Sequence, residues 1–173
     1  RIESPTPPVF DDKWHTLTVV IYDSSVNGVN SKWVKRFTDG NRVIETAANG
    51  TRRNLGTNYG SIESMSPMML GWGGDRGMGA VTFYAADLMI FNKALTDEEV
   101  KANLCLSDIT GHPKYANLIG YWPMNDRGFS TTMRNTAPGS RPELQLSGSY
   151  QWNGTEAPCT SPATGTGSKQ MLI

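Results

Sequence analysis

The stretch ADLMIFNKALTDEEVKANL, residues 86–104, places an apolar strand directly before a helix start. Thr96 and Glu99 have the spacing of a capping box, in which each side chain accepts a hydrogen bond from the backbone N–H of the other residue. This pairing satisfies two amides that the first turn of a helix leaves without partners. The stretch therefore predicts one short helix, near residues 97–104, behind a strand.

The rest of the chain has the composition of an all-β protein. Eighteen glycines and ten prolines, with hydrophobic residues at 38%, favour many turns between short elements. WHTLTVVIYD predicts a strand at about residues 14–22, because β-branched and aromatic residues suit a pleated surface. The pair Asp39-Gly40 between two strand-like runs predicts a type I′ hairpin. Further strands are predicted within residues 80–92, 118–124 and 143–152.

Length and composition predict one domain over residues 1–160, followed by a flexible tail at residues 161–173, which is rich in Ser, Thr, Gly and Pro. The chain starts with Arg1 rather than methionine, and we expect it to be part of a longer protein whose other domains are its partners. Cys105 and Cys159 are the two cysteines, and both a single disulfide and two unpaired thiols remain open.

The charge balance excludes two kinds of partner. Sixteen basic and sixteen acidic residues give a net charge of +0, so no overall field attracts nucleic acid or an anionic membrane. No apolar run approaches the roughly 20 residues that span a bilayer, so we expect no membrane insertion by this segment.

Three stretches resemble the laminin-G-like, concanavalin A-like lectin/glucanase superfamily. WHTLTVVIYD is similar to its Trp-His strand, and KRFTDGNRV to its hairpin with a central Asp-Gly. ADLMIFNKALTDEEV is similar to its late strand followed by Asn, a basic residue, Ala-Leu, Ser/Thr and two acids, although Ala86 stands where family members often carry Asp. The resemblance runs from about Trp14 to Leu104. It implies an antiparallel jelly-roll sandwich with the short helix at the sheet edge.

The C-terminal part carries a second resemblance. NLIGYWPMNDRGF is similar to the opening strand of such domains. We expect residues 118–152 to supply strands that complete the sandwich; a chain that starts inside its fold is the alternative. The arrangement resembles C-terminal modules of surface lipoproteins in gut Bacteroidetes, which implies an exported protein at the cell surface or in the periplasm and a role near glycan capture.

The candidate ligand-binding residues lie in two predicted loops. Sugar rings stack on exposed aromatic side chains while amide and charged groups hydrogen-bond the hydroxyls, and two stretches offer this mixture. The candidates are Trp72, Asp75 and Arg76 in the glycine-rich loop and Asn58 and Tyr59 in the preceding loop. The competing interpretation is that Trp72 covers the core and the two charges are solvated.

Catalysis and metal binding have weaker signals. The Glu-x-Asp-x-Glu arrangement of the glucanases does not occur, and neither His15 nor His112 lies beside a nucleophile pattern. We therefore assign no catalytic residue, no metal ligand and no cofactor. A structural calcium stays open, because Asp39, Asp75 and Asp126 lie in predicted turns.

The sequence thus predicts a non-catalytic carbohydrate-binding or adhesion module of a cell-surface protein, with a glycan as its partner. A structural spacer domain without a ligand is the alternative, and a glycoside hydrolase comes third.

Overall fold

A computed structural model describes residues 13–26, 29–42, 54–56, 84–102, 108–126, 130–139, 142–146, 151–156 and 169–172. All strand pairs in these ranges are antiparallel, and one α-helix accompanies them. The all-β prediction is therefore confirmed. The chain forms two compact units, the first comprising Arg1–Glu63, Ala94–Pro113 and Thr160–Thr164, and the second comprising Ser64–Lys93, Lys114–Cys159 and Gly165–Ile173. In the described ranges, no helix has the length and apolar character needed to cross a membrane.

The first unit is organised around a long antiparallel hairpin. Strands β1 (Leu17–Val26) and β2 (Val29–Thr38) pair along their whole length, from Leu17 opposite Thr38 to Val26 opposite Val29. Val20 and Phe37 lie on one face of this ribbon and are buried. The strand predicted at residues 14–22 is present, but it begins at Leu17 and extends to Val26.

The second hairpin of this unit turns at the predicted position. Asp39 and Gly40 have φ values of 51° and 70°, the positive values that a type I′ turn requires. The short strand β3 (Asn41–Arg42) then pairs with β2. Strand β4 (Asn54–Gly56) also pairs with β2, and the register shifts between its two partners there, Lys32 and Trp33.

Helix α1 (Asp97–Ala102) begins as the sequence predicts. The Thr96 backbone N–H donates to Glu99 Oε2 at 2.9 Å, and the Glu99 N–H donates to Thr96 Oγ1 at 3.2 Å, so the capping box is confirmed. Val100 faces inward and is buried. Residues 103 and 104, where the helix was also expected, lie outside the described residues.

A small core organises the second unit. Strand β6 (Leu88–Phe91) pairs with β7 (Leu118–Trp122). Trp122 packs with Met124 and Met133, and all three are buried. Around them lie the partly buried side chains of Ala85, Leu88, Ile90, Leu144 and Leu146.

Gly120 has a packing role in this core. A Cβ atom at Gly120 would lie 2.4 Å from two carbons of the Trp122 ring, so the indole lies where a side chain would stand. Met124 has a φ of 54°, a value that residues other than glycine rarely adopt. The packing of the Trp122 ring thus depends on the absence of a side chain at Gly120, and buried Met124 depends on a backbone conformation with positive φ.

The described residues of the C-terminal part form four further strands. Strand β8 (Thr132–Met133) pairs with β9 (Leu144–Gln145), and β10 (Gln151–Glu156) pairs with β11 (Lys169–Leu172). The strands predicted in residues 118–124 and 143–152 are thus present. Strand β11 lies within residues 161–173, the segment predicted as a flexible tail.

The run predicted as one strand within residues 80–92 is interrupted. Strand β5 (Tyr84–Ala85) pairs with β11, whereas β6 pairs with β7, so the two halves of the run belong to different sheets. Asp87 separates them with φ of 53°, and its Oδ1 accepts a hydrogen bond from the Tyr121 hydroxyl at 2.8 Å. Aspartate tolerates this conformation better than most residues, which permits the break.

Candidate functional site

The five predicted ligand-binding residues, Asn58, Tyr59, Trp72, Asp75 and Arg76, lie outside the described residues, as do Cys105 and Cys159. In the sequence, β4 ends at Gly56, two positions before Asn58, and β5 begins at Tyr84, eight positions after Arg76. The proposed glycan site therefore stays a prediction from the sequence.

An ion cluster joins α1 to the first sheet. Lys35 Nζ lies 2.8 Å from Asp97 Oδ1, and an Arg42 guanidinium nitrogen lies 3.8 Å from Asp97 Oδ2. Lys35 Nζ also lies 5.1 Å from the centre of the Tyr22 ring, within cation–π range. The hydrogen bond from Lys35 lowers the pKa of Asp97, and the charges of Lys35 and Arg42 act in the same direction. The cluster holds the start of α1 against the first sheet and therefore has a structural role.

A second polar cluster closes the Asp39-Gly40 turn onto the start of β1. Asp39 Oδ2 lies 2.8 Å from His15 Nδ1, and Asp39 Oδ1 accepts from the Thr16 N–H at 2.9 Å. The Asp39 N–H donates to the Thr16 carbonyl at 2.9 Å. One aspartate thus ties the turn to the preceding chain through both its side chain and its backbone.

The second unit has a comparable structural hub at Asn135. Its Oδ1 accepts hydrogen bonds from the backbone N–H groups of Tyr121 and Ala137, each at 3.0 Å. Asp126 Oδ2 accepts from the Arg134 N–H at 3.0 Å. These side chains satisfy backbone donors that the short strands β7 and β8 leave outside the regular ladder.

Two of the three turn aspartates considered for calcium are described, and each has a protein donor. Asp39 is bonded to His15 and Thr16, and Asp126 to Arg134; Asp75 lies outside the described residues. Over the part of the chain that the structure describes, no three His, Cys, Asp or Glu side chains come together as a metal site.

The two histidines have structural contacts. His15 precedes β1 and pairs with Asp39. His112 follows a 3-10 turn at Ile109–Gly111, is buried, and has its Nε2 3.3 Å from the Glu99 carbonyl oxygen. The His112 ring therefore packs beneath the helix rather than facing solvent.

The outer side of β1 carries exposed apolar side chains that were not predicted from the sequence. Leu17, Val19 and Ile21 are 62%, 57% and 38% exposed although all three are apolar. Their spacing of two places them on one face. Among the described residues, β1 pairs only with β2. The alternation was visible in WHTLTVVIYD, but apolar residues occupy both faces of the hairpin, with Val20 and Val34 buried on opposite faces, so the pattern did not show that Leu17, Val19 and Ile21 are exposed.

The described elements define the chain as an antiparallel all-β protein with one capped helix. No family model matches it, and no curated protein or solved structure is significantly similar to it.

Proposed function

We propose that this chain is a non-catalytic carbohydrate-binding or adhesion module of an exported, cell-surface or periplasmic protein, and that its strands form a concanavalin A-like jelly-roll sandwich. The observation that carries the proposal is the order of three elements in the chain. A strand after Trp14-His15, a hairpin turning at Asp39-Gly40, and β6 followed by a capped helix all occur where the resemblance implies them.

The acidic side chains support a non-catalytic role over a glycoside hydrolase. Glycosidases need two carboxyl groups that face each other across a cleft, at about 5–10 Å. Most described acids instead hold local structure. Asp23 pairs with Lys32, Asp39 with His15, Asp87 with Tyr121, Asp97 with Lys35, Glu99 with the Thr96 amide, Asp108 with Thr110, and Asp126 with the Arg134 amide.

The glycan would be held by the candidates of the two loops. Trp72 would stack against a sugar ring, since an indole offers a large apolar face. Asp75, Arg76 and Asn58 would hydrogen-bond the ring hydroxyls, and Tyr59 offers a second ring. Other domains of the longer protein would place this site against the glycan.

The proposal is tested by glycan-array binding of the whole chain, with Trp72→Ala as the diagnostic variant. We expect reproducible binding to at least one glycan class and its loss in Trp72→Ala. Tyr84→Ala is the matched control, because Tyr84 is an exposed aromatic residue on β5, outside the glycine-rich loop. Binding that is lost with a chelator would add calcium to the site.

Other outcomes would refute the proposal. A folded sample that binds no plant, mucin or N-glycan class would favour the structural spacer. Binding that survives in Trp72→Ala and fails in Tyr84→Ala would move the site to β5. Release of shortened products from any bound glycan would favour the hydrolase.

A further inference from the structure

We propose that the outer edge of β1 is an interface through which two copies of this chain associate, with β1 of one copy antiparallel to β1 of the other. The inference concerns self-association and does not depend on the glycan site. It rests on the direction of the backbone groups of β1, on the side chains of its exposed face, and on the register in which two copies of β1 would pair.

The backbone of β1 presents a ready hydrogen-bonding edge. The Asp39 N–H donates to the Thr16 carbonyl, which makes Thr16 the first residue whose polar backbone groups point toward β2. In an antiparallel pair such residues alternate with residues whose groups point away. Leu17, Val19 and Ile21 are therefore the residues whose N–H and C=O groups point outward. An edge of this kind pairs readily with another strand.

The side chains of the same three residues favour a second copy as the partner. With Val19 opposite Val19 of the second copy, Leu17 falls opposite Ile21 and Ile21 opposite Leu17. Each of these pairs exchanges two backbone hydrogen bonds, and the six apolar side chains share one face. A two-fold axis perpendicular to the sheet generates this arrangement, as in other isologous dimers.

The register supports the same alignment. The next outward residue, Asp23, which is paired with Lys32, falls opposite His15 of the second copy, which is paired with Asp39, so Asp23 does not meet a second Asp23. If the register shifted by two residues in one direction, Leu17 would lie opposite Asp23. If it shifted by two residues in the other direction, Ile21 would lie opposite His15. Only the central alignment keeps the apolar residues together.

The size of this interface predicts weak association. Three side chains and one strand edge from each copy bury much less than the roughly 1,200 Å² of a stable complex. We therefore expect a dimer that forms at high protein concentration or when the chain is concentrated at a surface.

Disulfide trapping tests the register. In a hydrogen-bonded antiparallel pair the opposed Cα atoms lie about 5.5 Å apart, a distance that a disulfide spans. Val19→Cys should therefore yield a crosslinked dimer under mild oxidation. Ile21→Cys is the matched control with the same native cysteines, because its two copies would be offset by four residues, roughly 13 Å. Mixing Leu17→Cys with Ile21→Cys should restore the crosslink, and equal yields from Val19→Cys and Ile21→Cys would overturn the register.

Sedimentation velocity over a concentration series tests the association itself. Val19→Lys should weaken the dimer roughly tenfold or more, because two ammonium groups would face each other across the axis. Gln145→Lys, at an exposed position on β9 of the second unit, should leave it unchanged. A wild-type chain that stays monomeric up to about 1 mM, or a dimer that ignores Val19→Lys, would refute the proposal. Capture of a strand from another domain in place of a second copy would refute it equally.

Discussion

Replacing Gly120 with alanine probes the close contact between β7 and the Trp122 ring. The new methyl group would stand 2.4 Å from two ring carbons, well inside the roughly 3.5 Å of an ordinary carbon contact. The indole is buried against Met124 and Met133, so it has little room to move. Overpacking of this kind typically costs about 1–3 kcal/mol.

A smaller effect acts in the opposite direction. Alanine restricts the unfolded chain more than glycine does, which stabilises a protein by about 0.4–1 kcal/mol where the native backbone accepts it. The net expectation for Gly120→Ala is a loss of about 1–2 kcal/mol. For a chain of this size that corresponds to a decrease of roughly 2–8 °C in Tm.

Gly111→Ala is the matched control. No atom lies within 4 Å of the Cβ position at Gly111, so only the effect on the unfolded chain remains. Both variants should be compared with wild type by urea unfolding, followed by tryptophan fluorescence. If Gly120→Ala is as stable as Gly111→Ala, the Trp122 ring does not lie over Gly120 and the core assignment is wrong.

Two further predictions concern helix α1. Thr96→Ala should cost about 1 kcal/mol, because the Glu99 N–H loses its acceptor, whereas Thr96→Ser keeps the hydroxyl and should retain most of the stability; urea unfolding that separates neither variant from wild type would contradict the capping box. Asp97→Asn should cost about 0.5–1 kcal/mol near neutral pH by removing the ion pair with Lys35. The folded-state pKa of Asp97 is lowered, so this stabilisation is complete above the ordinary value of 3.8 and is lost as the pH falls through the folded-state pKa. The difference in unfolding free energy between the wild type and Asp97→Asn should therefore disappear at acidic pH. A difference that does not change with pH would contradict this prediction.

Features set by neighbouring residues could be predicted from the sequence. The capping box joins residues three apart, and the Asp39-Gly40 turn needs only two residues that accept positive φ. The strands and the helix start followed from such short-range signals.

Features that depend on distant partners could not be predicted. The break at Asp87 involves Tyr121, 34 positions away, and the ion cluster joins Lys35 to Asp97 across 62 positions. Neither pair leaves a periodic pattern in the sequence. The residues proposed to bind a glycan rest on the chemistry of their side chains alone, so binding measurements must decide them.

The stretches that form the two units alternate along the sequence, and this order limits where the chain can be cut into folded fragments. Each unit is assembled from three separate stretches, and the stretch that holds α1 returns to the first unit only after Ser64–Lys93 has entered the second. No single cut in the sequence therefore releases an intact half. A truncation between described strands separates paired strands and leaves apolar surface uncovered, so the fragments should aggregate.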